Sequence, residues 1–214
     1  MKHITFYLDF ISPYAYLAFE RLPEALEGLS YSVSYQPVLF AGMLKHHGQL
    51  GPAEITPKRD WTYRHVLWLA HSLGVEMRMP RSHPFNPLPL LRLATACGSQ
   101  DMPPSRYVCE TVFRHVWRGG ADAADAQRLE LLAEKLLSLQ RTHADDAKAL
   151  LKGNTDAAIA KGVFGVPAFE VDSRIFWGLD ALPMLREYLF GSSWFATGAW
   201  DGVNQVAVSS SRKL

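Results

Sequence analysis

Ile4-Thr5-Phe6-Tyr7-Leu8-Asp9-Phe10-Ile11-Ser12-Pro13-Tyr14-Ala15-Tyr16-Leu17-Ala18 is the stretch that decides the fold of this chain. Ile4 to Phe10 is apolar or aromatic at most positions and reads as a strand. From Pro13 to Leu29, Tyr16, Leu17, Phe19, Leu22 and Leu26 recur at helical spacing, so a helix follows at once. Ser12 then stands as the N-cap and Pro13 as the first helical residue, both favoured there for stability alone. The same position also has chemistry. Free backbone N–H groups and the positive end of the helix dipole favour an anion such as a thiolate or a carboxylate.

Working outward, Tyr31 to Leu39 reads as a second strand, parallel to the first because a helical crossover joins them. Strand signals then stop until Pro167. Between lie helical patterns over Pro57 to Gly74, Pro87 to Cys97, Pro103 to Trp117, Asp125 to Leu139 and His143 to Leu151, the first three opened by proline. Asn154 or Thr155 caps a further helix to Lys161. Trp61, Trp68 and Trp117 fall on apolar helix faces and read as core. Pro167 to Val171 and Arg174 to Trp177 form a hairpin turning at Asp172-Ser173, and a helix from Asp180 to Leu189 follows. The order is β-α-β, a helical block, then β-β-α, an α/β fold with a large all-α insertion domain. Residues 1–40 and 154–190 make the α/β domain, 41–153 the helical insertion, and 191–214 an irregular tail with mobile last residues. No internal repeat is visible.

Composition excludes several function classes. The 22 Lys and Arg against 21 Asp and Glu leave a formal charge of +1, so no nucleic-acid footprint and no attraction to an anionic membrane is expected. The chain opens directly on strand residues, without the apolar segment of a signal peptide, and no run is long enough to cross a membrane. A soluble, cytoplasmic protein acting on a small molecule is the expectation. Cys97 and Cys109 both fall in helices and form no C-x-x-C pair, so they read as free buried thiols. The eight histidines lack metal-ligand spacing, and no metal is expected.

Asp9 to Ala18, with Gly51-Pro52-Ala53-Glu54-Ile55, His83-Pro84-Phe85-Asn86-Pro87-Leu88 and Gly162 to Pro167, resembles the 2-hydroxychromene-2-carboxylate isomerases. That family is similar to kappa-class glutathione transferases and disulfide-bond oxidoreductases of thioredoxin-like fold. The resemblance covers about residues 3 to 190. It implies a glutathione-dependent cis–trans isomerase of a conjugated aromatic pyruvate, of the kind met in aromatic hydrocarbon catabolism. Ser12 would donate to the glutathione sulfur, and the thiolate would add reversibly to the substrate. The resemblance also implies a cis Val166-Pro167 bond, with the Val166 backbone receiving the cysteinyl part of glutathione. Leu179, through its backbone, and Asp180 would receive the γ-glutamyl end, although Leu179 and Ala181 depart from the amide and arginine common there. Dimerisation is common among relatives, so a homodimer accompanies the resemblance.

The substrate end is expected from the helical block. Lys45, Glu54, Lys58 and Arg59 flank the Gly51-Pro52 turn, and Lys58 is the first choice for a substrate carboxylate. Phe85 is placed to stack on an aromatic ring, and Asn86 to hydrogen-bond the ring oxygen while also capping the helix that begins at Pro87. Two other functions stay open at this point. One is a kappa-like glutathione transferase or peroxidase using the same Ser12; the other is a non-catalytic thioredoxin-fold module that binds through the Pro167 loop.

Overall fold

In the computed structural model, which describes residues 1–205, a four-stranded mixed sheet has the order β2-β1-β3-β4. Strand β1 (Lys2–Leu8) lies at its centre. It pairs in parallel with β2 (Tyr31–Pro37), Ile4 opposite Val33, and antiparallel with β3 (Ala168–Val171), Phe6 opposite Phe169. Strand β4 (Arg174–Trp177) completes the hairpin. Its turn residues Asp172 and Ser173 both have positive φ, 49° and 63°, the geometry of a two-residue turn matched to strand twist.

Helix α1 (Pro13–Ala25) crosses from β1 to β2 and buries Tyr16, Leu17, Phe19 and Leu22. Phe6, Phe19 and Phe169 are fully buried, each worth about 1.5–3 kcal/mol in removed apolar surface. The same buried cluster continues through Phe113 and Trp117 into the helical insertion. That insertion comprises α2 (Phe40–His46), α3 (Thr56–Ser72), α4 (Leu88–Ala96), α5 (Arg106–Trp117), α6 (Ala126–Leu136) and α7 (Ala144–Ala160); α8 (Leu182–Phe190) follows the hairpin. No helix among the described residues is long and apolar enough to cross a membrane.

Several expectations are corrected. Helix α2 was not foreseen. Helix α7 is continuous where the sequence suggested two helices, because Thr155 is a buried bridge within it and not a cap: its hydroxyl donates to the Leu151 carbonyl at 2.8 Å and accepts the Leu39 N–H at 2.9 Å. Trp117 is fully buried, but Trp61 and Trp68 are 65% and 60% exposed, stacked in parallel on either side of His65 along one face of α3. Asp180 belongs to a short 3₁₀ turn, Leu179–Ala181, ahead of α8, so it does not cap that helix. The segment after Gly191 is more ordered than expected. A 3₁₀ turn over Ser193–Ala196 buries Phe195 against Phe176, Tyr188 and Trp200. The last residues expected to be mobile, 206–214, lie outside the described residues.

Candidate active site

Ser12 caps α1, its Oγ accepting the Ala15 N–H at 3.2 Å. Ser12 is 8% exposed, and its hydroxyl donates toward the carbonyl of Val166 at 3.4 Å. Val166-Pro167 is a cis peptide bond. Chain order alone separates these residues; the antiparallel pairing of β1 with β3 brings the end of one strand beside the start of the other. The Gly178 N–H then donates to the Pro167 carbonyl at 2.9 Å, which carries Leu179 and Asp180 to the same end of the sheet. Asp180 is exposed, and its charge reaches Tyr14 beside Ser12, where burial first and Asp180 second hold the phenol above its ordinary pKa.

The turn from Asp9 to Ser12 is held at almost every polar group. The fully buried Asp9 carboxylate accepts the Ile11 N–H at 3.1 Å and the Phe40 N–H at 2.9 Å. Burial dominates over these bonds and pushes its pKa up to about 7. The Trp117 indole donates to the Phe10 carbonyl at 3.0 Å, and the His83 Nε2 lies 2.9 Å from the Ile11 carbonyl. No cysteine lies in this turn. Cys97 and Cys109 are buried elsewhere, and desolvation raises both thiols, Cys97 to about 11. Thiol chemistry at Ser12 therefore needs a sulfur brought by a ligand.

The substrate-end residues divide. Helix α3 runs beside α1 in the same direction, because Tyr14 Oη meets His65 Nδ1 at 2.9 Å and Arg21 meets the Leu73 carbonyl at 3.4 Å. The first turn of α3, with exposed Lys58, thus reaches past the N-terminus of α1: seven residues before His65 is about 10 Å along a helix. Arg59 is engaged with its neighbour Asp60 at 3.5 Å. Glu54 accepts the Gly51 N–H at 2.8 Å within its own turn. Lys45 is exposed near the end of α2, with no contact to the Ser12 turn among the described residues. Phe85 is half-buried, edge-on to His83 with centroids 6.0 Å apart. Exposed Asn86 accepts the Leu88 N–H at 3.1 Å from one position before Pro87, which is the N-cap of α4, so the expected cap at Asn86 is corrected to a local turn bond. A separate cavity of about 460 Å³ lies beyond β2, lined by Tyr35, Cys97, Arg106 and Arg141 among others, and includes none of these residues.

Asp9, Tyr63 and His83 were not singled out individually from sequence, and His65 was read only as part of the helical pattern, without metal-ligand spacing to His71. The signal for Asp9 is an acid three residues before a helix cap; His83 was visible only as part of the His83 to Leu88 motif.

Comparison with known proteins places this geometry in a family. A 2-hydroxychromene-2-carboxylate isomerase of Sphingobium xenophagum is 28% identical over 197 residues, 88% of this chain and 98% of the relative. A glutathione S-transferase kappa 2 of Caenorhabditis elegans is 25% identical over 210 residues, 88% of this chain and 92% of that protein. Among solved structures, a 2-hydroxychromene-2-carboxylate isomerase matches with a TM-score of 0.69 at 22% identity, covering 96% of this chain and 100% of the other. The cytosolic disulfide reductase DsbM from Pseudomonas aeruginosa with GSH matches with a TM-score of 0.55 at 16% identity, covering 88% and 99%. These likenesses of structure establish the thioredoxin fold. The model of the DSBA-like thioredoxin domain matches residues 3–190, and the chain belongs to that family.

Proposed function

We propose that this protein is a glutathione-dependent cis–trans isomerase of a conjugated aromatic pyruvate, a 2-hydroxychromene-2-carboxylate-like acid. One observation carries the reading: a buried serine hydroxyl at a helix N-terminus faces the carbonyl before a cis proline, in a turn without cysteine. Such a place suits a sulfur anion supplied from outside, since the hydroxyl donor and the helix end both favour negative charge. The groups around it fit glutathione. Among the described residues the Val166 N–H donates to no backbone carbonyl, leaving it available to the cysteinyl part. The Asp180 carboxylate is exposed and suits the γ-glutamyl ammonium, with the Leu179 backbone beside it.

When bound, glutathione supplies a thiolate that adds reversibly to a conjugated carbon, so that a double bond becomes a rotatable single bond until the sulfur leaves. The chain's own residues hold and orient. Ser12 keeps its proton and donates to the sulfur. Lys58, reaching past the end of α1, receives the substrate carboxylate, with Phe85 and Asn86 nearer the ring. In this reading the partner is a small aromatic acid and the protein is a cytoplasmic homodimer.

A kappa-like transferase is the second reading, favoured by the similarity to the kappa 2 transferase along nearly its whole length. Two measurements separate the possibilities. Calorimetry with millimolar glutathione should show binding, and its absence rejects both glutathione readings in favour of a non-catalytic module. A spectrophotometric comparison of 2-hydroxychromene-2-carboxylate with standard transferase acceptors should show turnover of the chromene; conjugation of the acceptors alone would select the transferase.

A further inference from the structure

The Ile11–Ser12 peptide is pinned at both ends. Its N–H, on Ser12, donates to the Asp9 carbonyl at 3.1 Å, and its carbonyl, on Ile11, receives His83 Nε2 at 2.9 Å. A ring nitrogen facing a carbonyl must carry the proton, so Nδ1 of the neutral imidazole is left as an acceptor. Tyr63 lies there, its hydroxyl donating to the His83 carbonyl at 2.7 Å with the oxygen 2.8 Å from Nδ1, so that one proton is shared between the two acceptors. Phe85 and Trp117 pack against the same ring, with centroids 6.0 and 5.6 Å away. His83 is thereby set in tautomer by the Ile11 carbonyl and in orientation by Tyr63, Phe85 and Trp117 of the insertion. Desolvation lowers its pKa, which favours the neutral form this arrangement needs.

We propose that His83, oriented by Tyr63, is a positioning residue for Ser12. It draws the Ile11 carbonyl into the insertion and stops the Ile11–Ser12 peptide from turning its negative end toward the anion at the head of α1. This rests on the reading of Ser12 as the support of a thiolate. A peptide dipole reversed next to the sulfur opposes the hydroxyl and the helix end, so losing the clamp raises the sulfhydryl pKa of a bound thiol. The insertion then sets the electrostatics of the α/β domain's site through one imidazole, in addition to covering it.

His83→Phe keeps a ring in the same packing and removes the donor, whereas His83→Gln returns an amide N–H near the Nε2 position. In His83→Phe the sulfhydryl pKa of bound glutathione, followed by thiolate absorbance, should rise by about one unit. Turnover should fall about 10²-fold while the glutathione Kd changes little. His83→Gln should recover most of both. Tyr63→Phe, a milder change that keeps the imidazole, should move the same readouts in the same direction by less. A readout independent of glutathione uses the ligand-free protein: the Ser12 amide should exchange with deuterium about tenfold faster in His83→Phe, relative to the Phe169 amide in β3. Unchanged Ser12 exchange in His83→Phe and Tyr63→Phe overturns the proposal, whatever happens to thermal stability. Faster exchange with no glutathione binding by the wild type leaves the clamp standing and rejects the functional reading on which the thiolate argument rests.

Discussion

Ser12 Oγ and the carbonyl oxygen of Val166 lie 3.4 Å apart although 154 positions separate them in the chain. The pairing is set by two rigid elements, the N-terminus of α1 and the start of β3, and both are anchored on β1. Between them lies a wall that offers a hydroxyl on one side and peptide groups on the other.

The first prediction separates cap from catalyst at Ser12. Ser12→Ala should cost about 0.5–2 kcal/mol of stability as a lost cap. If the hydroxyl also supports a thiolate, turnover should fall about 10²–10³-fold and the sulfhydryl pKa of bound glutathione should rise. Thermal melts, steady-state kinetics and thiolate absorbance against pH check all three in one variant. Normal turnover with an unchanged thiolate titration reduces Ser12 to a cap.

Lys58 is exposed in the first turn of α3. Lys58→Ala should raise KM for the acidic substrate about tenfold and leave glutathione affinity as it is, the pattern of lost uniform binding. Kinetics with the acid at fixed saturating glutathione give the answer. An unchanged KM moves the carboxylate contact to Lys45 or Arg59.

Asp9 gives a pH dependence whose sign is unusual for an acid. Burial raises its folded pKa from 3.8 to about 7, so between those values the native state holds a proton that the unfolded chain has lost. Stability from this group is therefore greatest near pH 4, declines as pH rises toward 7, and is level above that. Thermal midpoints measured from pH 4 to 8 should show the decline in the wild type and a flatter profile in Asp9→Asn. Parallel profiles in the two proteins would disprove the assignment.

Gly178 stands at φ 103°, and a Cβ there would collide with Asp180 Oδ1. Gly178→Ala combines backbone strain of about 1–3 kcal/mol with displacement of the Asp180 carboxylate. Lower denaturant stability and weaker glutathione binding should appear together. Adding Asp180→Ala should return part of the stability and none of the affinity; recovery of affinity in the double variant removes Asp180 from the ligand site.

Much of this was legible in sequence because it is local. The strand–helix turn at Ser12-Pro13, the Asp172-Ser173 hairpin and the burial of Phe19 and Trp117 follow from short-range spacing and turn chemistry. Helix α3 shows where such reasoning stops: Trp61, His65 and Trp68 have the spacing of a core stripe but line an exposed face. Nothing local records whether another element covers an apolar stripe. Thr155 and Asp180 have cap-like side chains, yet one bonds across to Leu39 inside a continuous helix and the other sits in a 3₁₀ turn.

By itself the sequence determined the β-α-β and β-β-α units that flank the helical block, the anion-favouring character of the α1 N-terminus and the absence of cysteine from that turn, since each depends on residues within a few positions of one another. Tertiary structure alone decided that Val166 faces Ser12, that α3 runs beside α1, and that His83, Asp9 and Trp117 hold the turn. Those relationships depend on strand pairing and on the path of α3 beside α1. Hydrogen bonds across 72 and 107 positions, from His83 to Ile11 and from Trp117 to Phe10, form only after the core has closed.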